Sequence, residues 1–158
     1  LCAAAGGRLS GGENLALVRL VEESEATGLV QDVYEDILTS RKLAKVPNYW
    51  KALAHQPELL AASWAKLKVV MAEGALDRRT KEIIAVAVSA TNNCDYCLRS
   101  HTDQLRSLGF GDAEILELMG VVDFFNGSNA VASGLRVEYE PPVPQEQEPA
   151  SEPMSAHG

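Results

Sequence analysis

No apolar run in this sequence approaches the roughly 20 residues that a helix needs to span a bilayer, so no membrane partner is expected. Basic clusters are missing as well, which argues against nucleic acid, since phosphate backbones are held by grouped Lys and Arg. Cysteine is scarce: Cys2, Cys94 and Cys97 are too few for a secreted disulfide scaffold. The opening stretch, Leu1 to Arg8, is too short and too weakly hydrophobic for a signal peptide, and a cytoplasmic location is the default expectation. Period-2 alternation of useful length is absent too, which removes the pattern of a half-buried β-strand.

What is present is a composition of ordinary globular kind, with 46% hydrophobic and 23% charged residues over 158 positions. That length suits one core of common size. The net charge of −8 is unevenly placed: five glutamates (Glu138, Glu140, Glu146, Glu148, Glu152) follow Arg136 without a Lys or Arg among them, leaving −3 for the body. Together with Pro141, Pro142, Pro144, Pro149 and Pro153 they define an acidic tail, 137–158, too polar to bury a core. The Gly-rich residues 1–15 read as a flexible arm, and Cys2 lies within it. Residues 16–136 form the expected folded domain.

Throughout that domain the pattern is helical. Leu29, Val30, Val33, Tyr34 and Ile37 share one helix face. Pro47 and Pro57 each open a helix, the second running to about Met71 before Gly74. Asp77 caps a helix through Ile83 to Val88, a run with no polar face and therefore expected to be central. Asn93 is the expected N-cap of a helix carrying Cys94, Cys97, His101 and Leu105 and ending near Gly109. Asp112 caps a short segment, and a separate helix follows through Val121, Phe124, Phe125 and Leu135. The fold class is all-α, a compact bundle of about six or seven helices.

Chemistry concentrates around Cys94-Asp95-Tyr96-Cys97. A helix start supplies free N–H groups and partial positive charge, both of which stabilise a thiolate. His101 lies four residues after Cys97 on the same face and can take its proton or stabilise its anion. Cys94 and Cys97, one turn apart, can close a disulfide. In a helical hairpin about Asn92–Asn93, Glu82 and His101 lie at depths that differ by only about one turn at ~1.5 Å per residue. Cβ tilt opposes direct contact, and a bridging water could close the gap.

Each residue also has a bland reading. Glu82 alone is a solvated first-turn carboxylate, His101 alone a satisfied surface histidine, and Tyr96 either packing or a hydroxyl lining the site. Zinc is weakened by the lack of a second Cys or His pair, although Glu82, Cys94, Cys97 and His101 could supply four ligands. Which cysteine attacks stays open on spacing alone, because the helix start favours Cys94 and His101 favours Cys97.

Glu82, eleven residues, Cys94-Asp95-Tyr96-Cys97, three residues and His101 resembles the signature of the alkyl hydroperoxide reductase D family, within the carboxymuconolactone decarboxylase-like superfamily. Pro47-Asn48, Leu53-Ala54 with Pro57-Glu58-Leu59-Leu60, and Phe125-Asn126 resemble its peroxidase-related branch, over roughly residues 19 to 140. The resemblance implies thiol-dependent reduction of a hydroperoxide, with no bound cofactor and electrons returned by an external dithiol such as a lipoyl group or lipoyl protein. It implies Cys97 as the peroxidatic thiol, Cys94 as the resolving thiol, and His101 with Glu82 as a proton relay. Tyr96 stands where some relatives carry a histidine. A redox sensor whose disulfide switches assembly, and a cofactor-free decarboxylase, are the competing readings; the dithiol argues against the latter.

The resemblance also implies a homotrimer or hexamer, and the apolar helix surface exceeds what one core of this size needs. Light scattering at micromolar concentration should therefore give a multiple of 17.0 kDa. A monomer mass alone would contradict this.

Overall fold

The computed structural model describes residues 16–142; the arm 1–15 with Cys2, and the tail from 143 onward, lie outside the described residues. Among the described residues there are six α-helices, one 3₁₀ turn and no strand: α1 (Leu29–Arg41), α2 (Asn48–Leu53), α3 (Pro57–Met71), α4 (Arg78–Thr91), α5 (Asp95–Ser107) and α6 (Asp112–Leu135). The all-α expectation holds. The residues fall into two compact units, divided between Lys81 and Glu82 in the first turn of α4.

In the first unit, the predicted face of α1 is buried as Val30, Val33, Tyr34 and Ile37. It packs with Val46, Trp50, Ala54, Leu60 and Trp64. Pro47 occupies the N-cap of α2 and Pro57 the first turn of α3, positions where a missing N–H is harmless. Trp50 and Trp64 meet edge to face, their centroids 5.4 Å apart. A strap ahead of α1 is tied down by polar groups: the Tyr34 hydroxyl donates to Val21 O at 2.9 Å, and the buried Lys51 ammonium pairs with Glu22 at 2.6 Å. A buried cation needs such a partner.

The second unit holds the rest of α4 with α5 and α6. Its core is Val86, Leu105, Phe110 and Leu118, with Ile83, Leu98, Ile115, Met119 and Val122 packed against it. Gly109, at φ +91°, lets the chain turn between α5 and α6. The backbone N–H of Gly111 then donates to Glu114 Oε2 at 2.9 Å to start α6.

Three expectations are corrected here. The short segment after Asp112 and the later helix are one 24-residue helix, and Asp112 lies inside its first turn with Gly111 at the N-cap. A single interior glycine such as Gly120 costs only about 1 kcal/mol, and the packing of Met119 and Val122 on either side of it outweighs that. The apolar run of α4 is not buried all round: Val86 is buried, whereas Ile84 and Val88 are half exposed.

Leu105 is fully buried at the centre of the second unit. Replacing it with Ala should lower unfolding free energy by about 2–5 kcal/mol, measured by urea or thermal denaturation. An unchanged stability would show that this core does not hold the unit.

Candidate active site

All four predicted site residues belong to the second unit, on α4, on α5 and at the start of α5. Asp77 caps α4 as predicted: its carboxylate accepts the backbone N–H of Thr80 at 2.7 Å, which also holds its pKa below the usual value. From that start, Glu82, Val86 and Ser89 recur at helical spacing and are the buried residues of α4. Ser89 is satisfied locally, its hydroxyl donating to Ala85 O at 2.6 Å.

Glu82 is 1% exposed, and its Oε2 accepts the Nδ1–H of His101 at 2.7 Å. Contact is direct, so the bridging water considered for this pair is unnecessary. The reach of the two side chains closes the gap that Cβ tilt opens. An ionised carboxylate only accepts, so the bond fixes the proton on Nδ1 and leaves Nε2 as the basic nitrogen. His101 is 27% exposed, which leaves its ring accessible from solvent.

The helix start differs from the sequence expectation. Cys94, not Asn93, is the N-cap of α5, and its Sγ accepts the backbone N–H of Cys97 at 3.3 Å. Asn93 instead ends α4 in the left-handed conformation, φ +54°. Both cysteines are free thiols of intermediate burial. The Cys97 thiol is pushed up to about 11, chiefly by its hydrogen bond with Cys94, then by burial and by the Cys94 charge. Cys97 thus keeps its proton beside a Cys94 sulfur that accepts the Cys97 backbone N–H. Among the described residues no hydrogen bond joins His101 to either cysteine; His101 sits one turn beyond Cys97 on α5. Tyr96 is half exposed between the cysteines.

The four-ligand zinc set is not assembled: among the described residues no group of three or more His, Cys, Asp or Glu could hold a metal ion. No described helix is long and apolar enough to cross a membrane. Sequence reasoning missed two features. Asn93 has the side chain of an N-cap, but asparagine is also a recurrent non-glycine residue in a left-handed helix stop, and that is its place here. Thr91 Oγ1 donates to Asn126 Oδ1 at 3.2 Å, tying the end of α4 to α6, and nothing in the local pattern signals that.

Residues 57–137 match the carboxymuconolactone decarboxylase family. The chain belongs to that family. This family member is 35% identical to the alkylhydroperoxidase AhpD core of Rhodospirillum rubrum, whose crystal structure it matches with a TM-score of 0.76 over 80% of this chain and 96% of that one. It is thus an alkyl hydroperoxide reductase D-like protein of the superfamily. It is also 30% identical over 128 residues, 78% of its length, to an alkyl hydroperoxide reductase of Mycobacterium tuberculosis. An (R)-2-haloacid dehalogenase of Pseudomonas putida is 29% identical over 67% of the chain. The chain spans about a third of the length of these two curated relatives, 37% and 35%.

If Cys94 is what holds the Cys97 proton, replacing Cys94 with Ala should bring the Cys97 thiol down from about 11 toward its ordinary value. Ultraviolet thiolate absorbance against pH reads this directly. A Cys97 thiol that stays near 11 in the variant would assign the shift to burial instead.

Proposed function

We propose that this family member is a thiol-dependent hydroperoxidase working through Cys94 and Cys97, with His101 and Glu82 as its proton relay. The observation that carries the reading is the direct Glu82–His101 bond, which presents an oriented base one helical turn from Cys97. Attack by Cys97, the role implied by the family signature, requires removal of a proton that Cys94 holds tightly. The Nε2 nitrogen of His101 is the base for that proton, and Glu82 stabilises the resulting imidazolium.

The Cys97 thiolate attacks the outer peroxide oxygen. The O–O bond breaks, an alcohol leaves with the proton held by His101, and Cys97 becomes a sulfenic acid. Cys94 then attacks the Cys97 sulfur, water departs, and a Cys94–Cys97 disulfide forms. An external dithiol of lipoyl type returns two electrons and two protons by thiol–disulfide exchange. Tyr96, half exposed between the sulfurs, lines the approach of peroxide or dithiol. Assembly into a homotrimer or hexamer would cover Leu116, Val121, Phe124 and Leu135 of α6, which a single chain leaves exposed.

A second reading has one specific observation behind it: Cys94 is the sulfur that receives a backbone N–H at the start of α5, and in this reading Cys94 is the attacking sulfur. Trapping of sulfenic acid with dimedone in Cys94→Ser and Cys97→Ser proteins separates the two. The peroxidatic cysteine is the one whose loss abolishes trapping.

Purified protein supplied with peroxide and a lipoyl-type dithiol should turn over many times. Replacing His101 with Ala should slow thiol oxidation at neutral pH by about 10²- to 10⁴-fold. Glu82→Gln should act in the same direction but less, since Glu82 works through His101. Oxidation that stops after one equivalent of peroxide, with donor present, would instead mark a redox sensor.

A further inference from the structure

The connection between α4 and α5 is only three residues long, 92–94, yet it both ends one helix and starts the next. The N–H of Cys94 donates back to Ser89 O at 3.0 Å, and the N–H of Asn93 to Ala90 O at 3.1 Å. These two bonds, with a left-handed residue between them and the last helical turn, form a Schellman stop in which Asn93 is the left-handed position. Cys94 is therefore used twice. Its N–H closes α4, and its Sγ opens α5 by accepting the Cys97 N–H at 3.3 Å. The bond from the Cys94 N–H to Ser89 O needs the positive φ of Asn93, and that dihedral sets the direction in which Cys94 leaves α4 toward the start of α5.

We infer that Asn93 is a positioning residue for the dithiol: its left-handed backbone holds Cys94 at the joint where it stops one helix and caps the next. Asparagine adopts this conformation several-fold more readily than most residues, glycine adopts it freely, and a β-branched residue resists it strongly. Among these residues only glycine and asparagine fit without strain. The hinge also fixes how α5 leaves α4, and hence the meeting of Glu82 with His101 farther down the hairpin. Asn93 touches no substrate in this scheme and acts only through Cys94. The inference rests on the dithiol reading in taking the two thiols as the working groups, but its test does not need peroxide turnover.

The test uses the full chain and compares Asn93→Gly, Asn93→Ala and Asn93→Val. Three quantities are read: the alkylation rate of the thiols against pH, the dithiol–disulfide equilibrium in a glutathione buffer, and the melting temperature. Asn93→Gly should keep the parental alkylation profile. In Asn93→Val the displaced Cys94 sulfur should lose its backbone donor, and alkylation at neutral pH should slow by about tenfold, the effect of one hydrogen bond to a charged group. Asn93→Ala should shift the same way by a smaller factor, and it decides the matter if the Val protein does not fold. The redox equilibrium should move with the alkylation profile. Folded Ala or Val proteins with lower melting temperatures but unmoved profiles would overturn the inference, leaving Asn93 a purely structural stop. A Gly protein shifted as far as the Val protein would overturn it too, by assigning the effect to the asparagine side chain. Failure of the peroxidase assay with these shifts intact would leave the positioning role standing and remove only the peroxidase reading.

Discussion

A carboxylate as deeply buried as Glu82 is stable only if its charge is met by donors, because desolvation of an unpaired ion costs several kcal/mol. Its Oε2 is met by the Nδ1–H of His101, across from α4 to α5, and most of what is distinctive about the second unit follows from that bond. The hairpin must bring the two helices to a matching depth, so the turn at 92–94 cannot vary freely. The imidazole is fixed in one tautomer. Leu105, one turn farther along α5, is carried into the core with Val86.

The two cysteines sit at the mouth of this hairpin, and their chemistry is set by sharing. Cys94 receives a backbone N–H as the cap of α5, and Cys97 holds its proton against it. The Cys97 thiol is thereby held up to about 11. His101, oriented by Glu82, lies one turn beyond Cys97 on α5.

Local chemistry made much of this legible. Pro47, Pro57 and Asp77 mark helix starts because a missing N–H or a capping carboxylate acts within one turn, and all three do so here. The face of α1 was legible because it packs against one core on one side. What stayed hidden depends on longer range. Gly120 looks like a break, and only packing across α6 shows that it is not. Asn93 has the side chain of an N-cap and the backbone tolerance of a helix stop, and sequence does not say which property is used. Glu82 and His101 match in depth along the hairpin, but side-chain reach decided whether they touch. The exposure of Ile84 and Val88 shows that an apolar run does not by itself mean burial.

The most direct measurement is nitrogen NMR of the His101 imidazole in the reduced protein and in Glu82→Gln. The bond to Glu82 predicts a proton held on Nδ1, slow to exchange and shifted downfield, with Nε2 unprotonated in the neutral ring. In Glu82→Gln that proton signal should move or vanish. A His101 ring that carries its proton on Nε2, or one whose signals are unchanged in Glu82→Gln, would contradict the buried pair as the constraint around which the site is built.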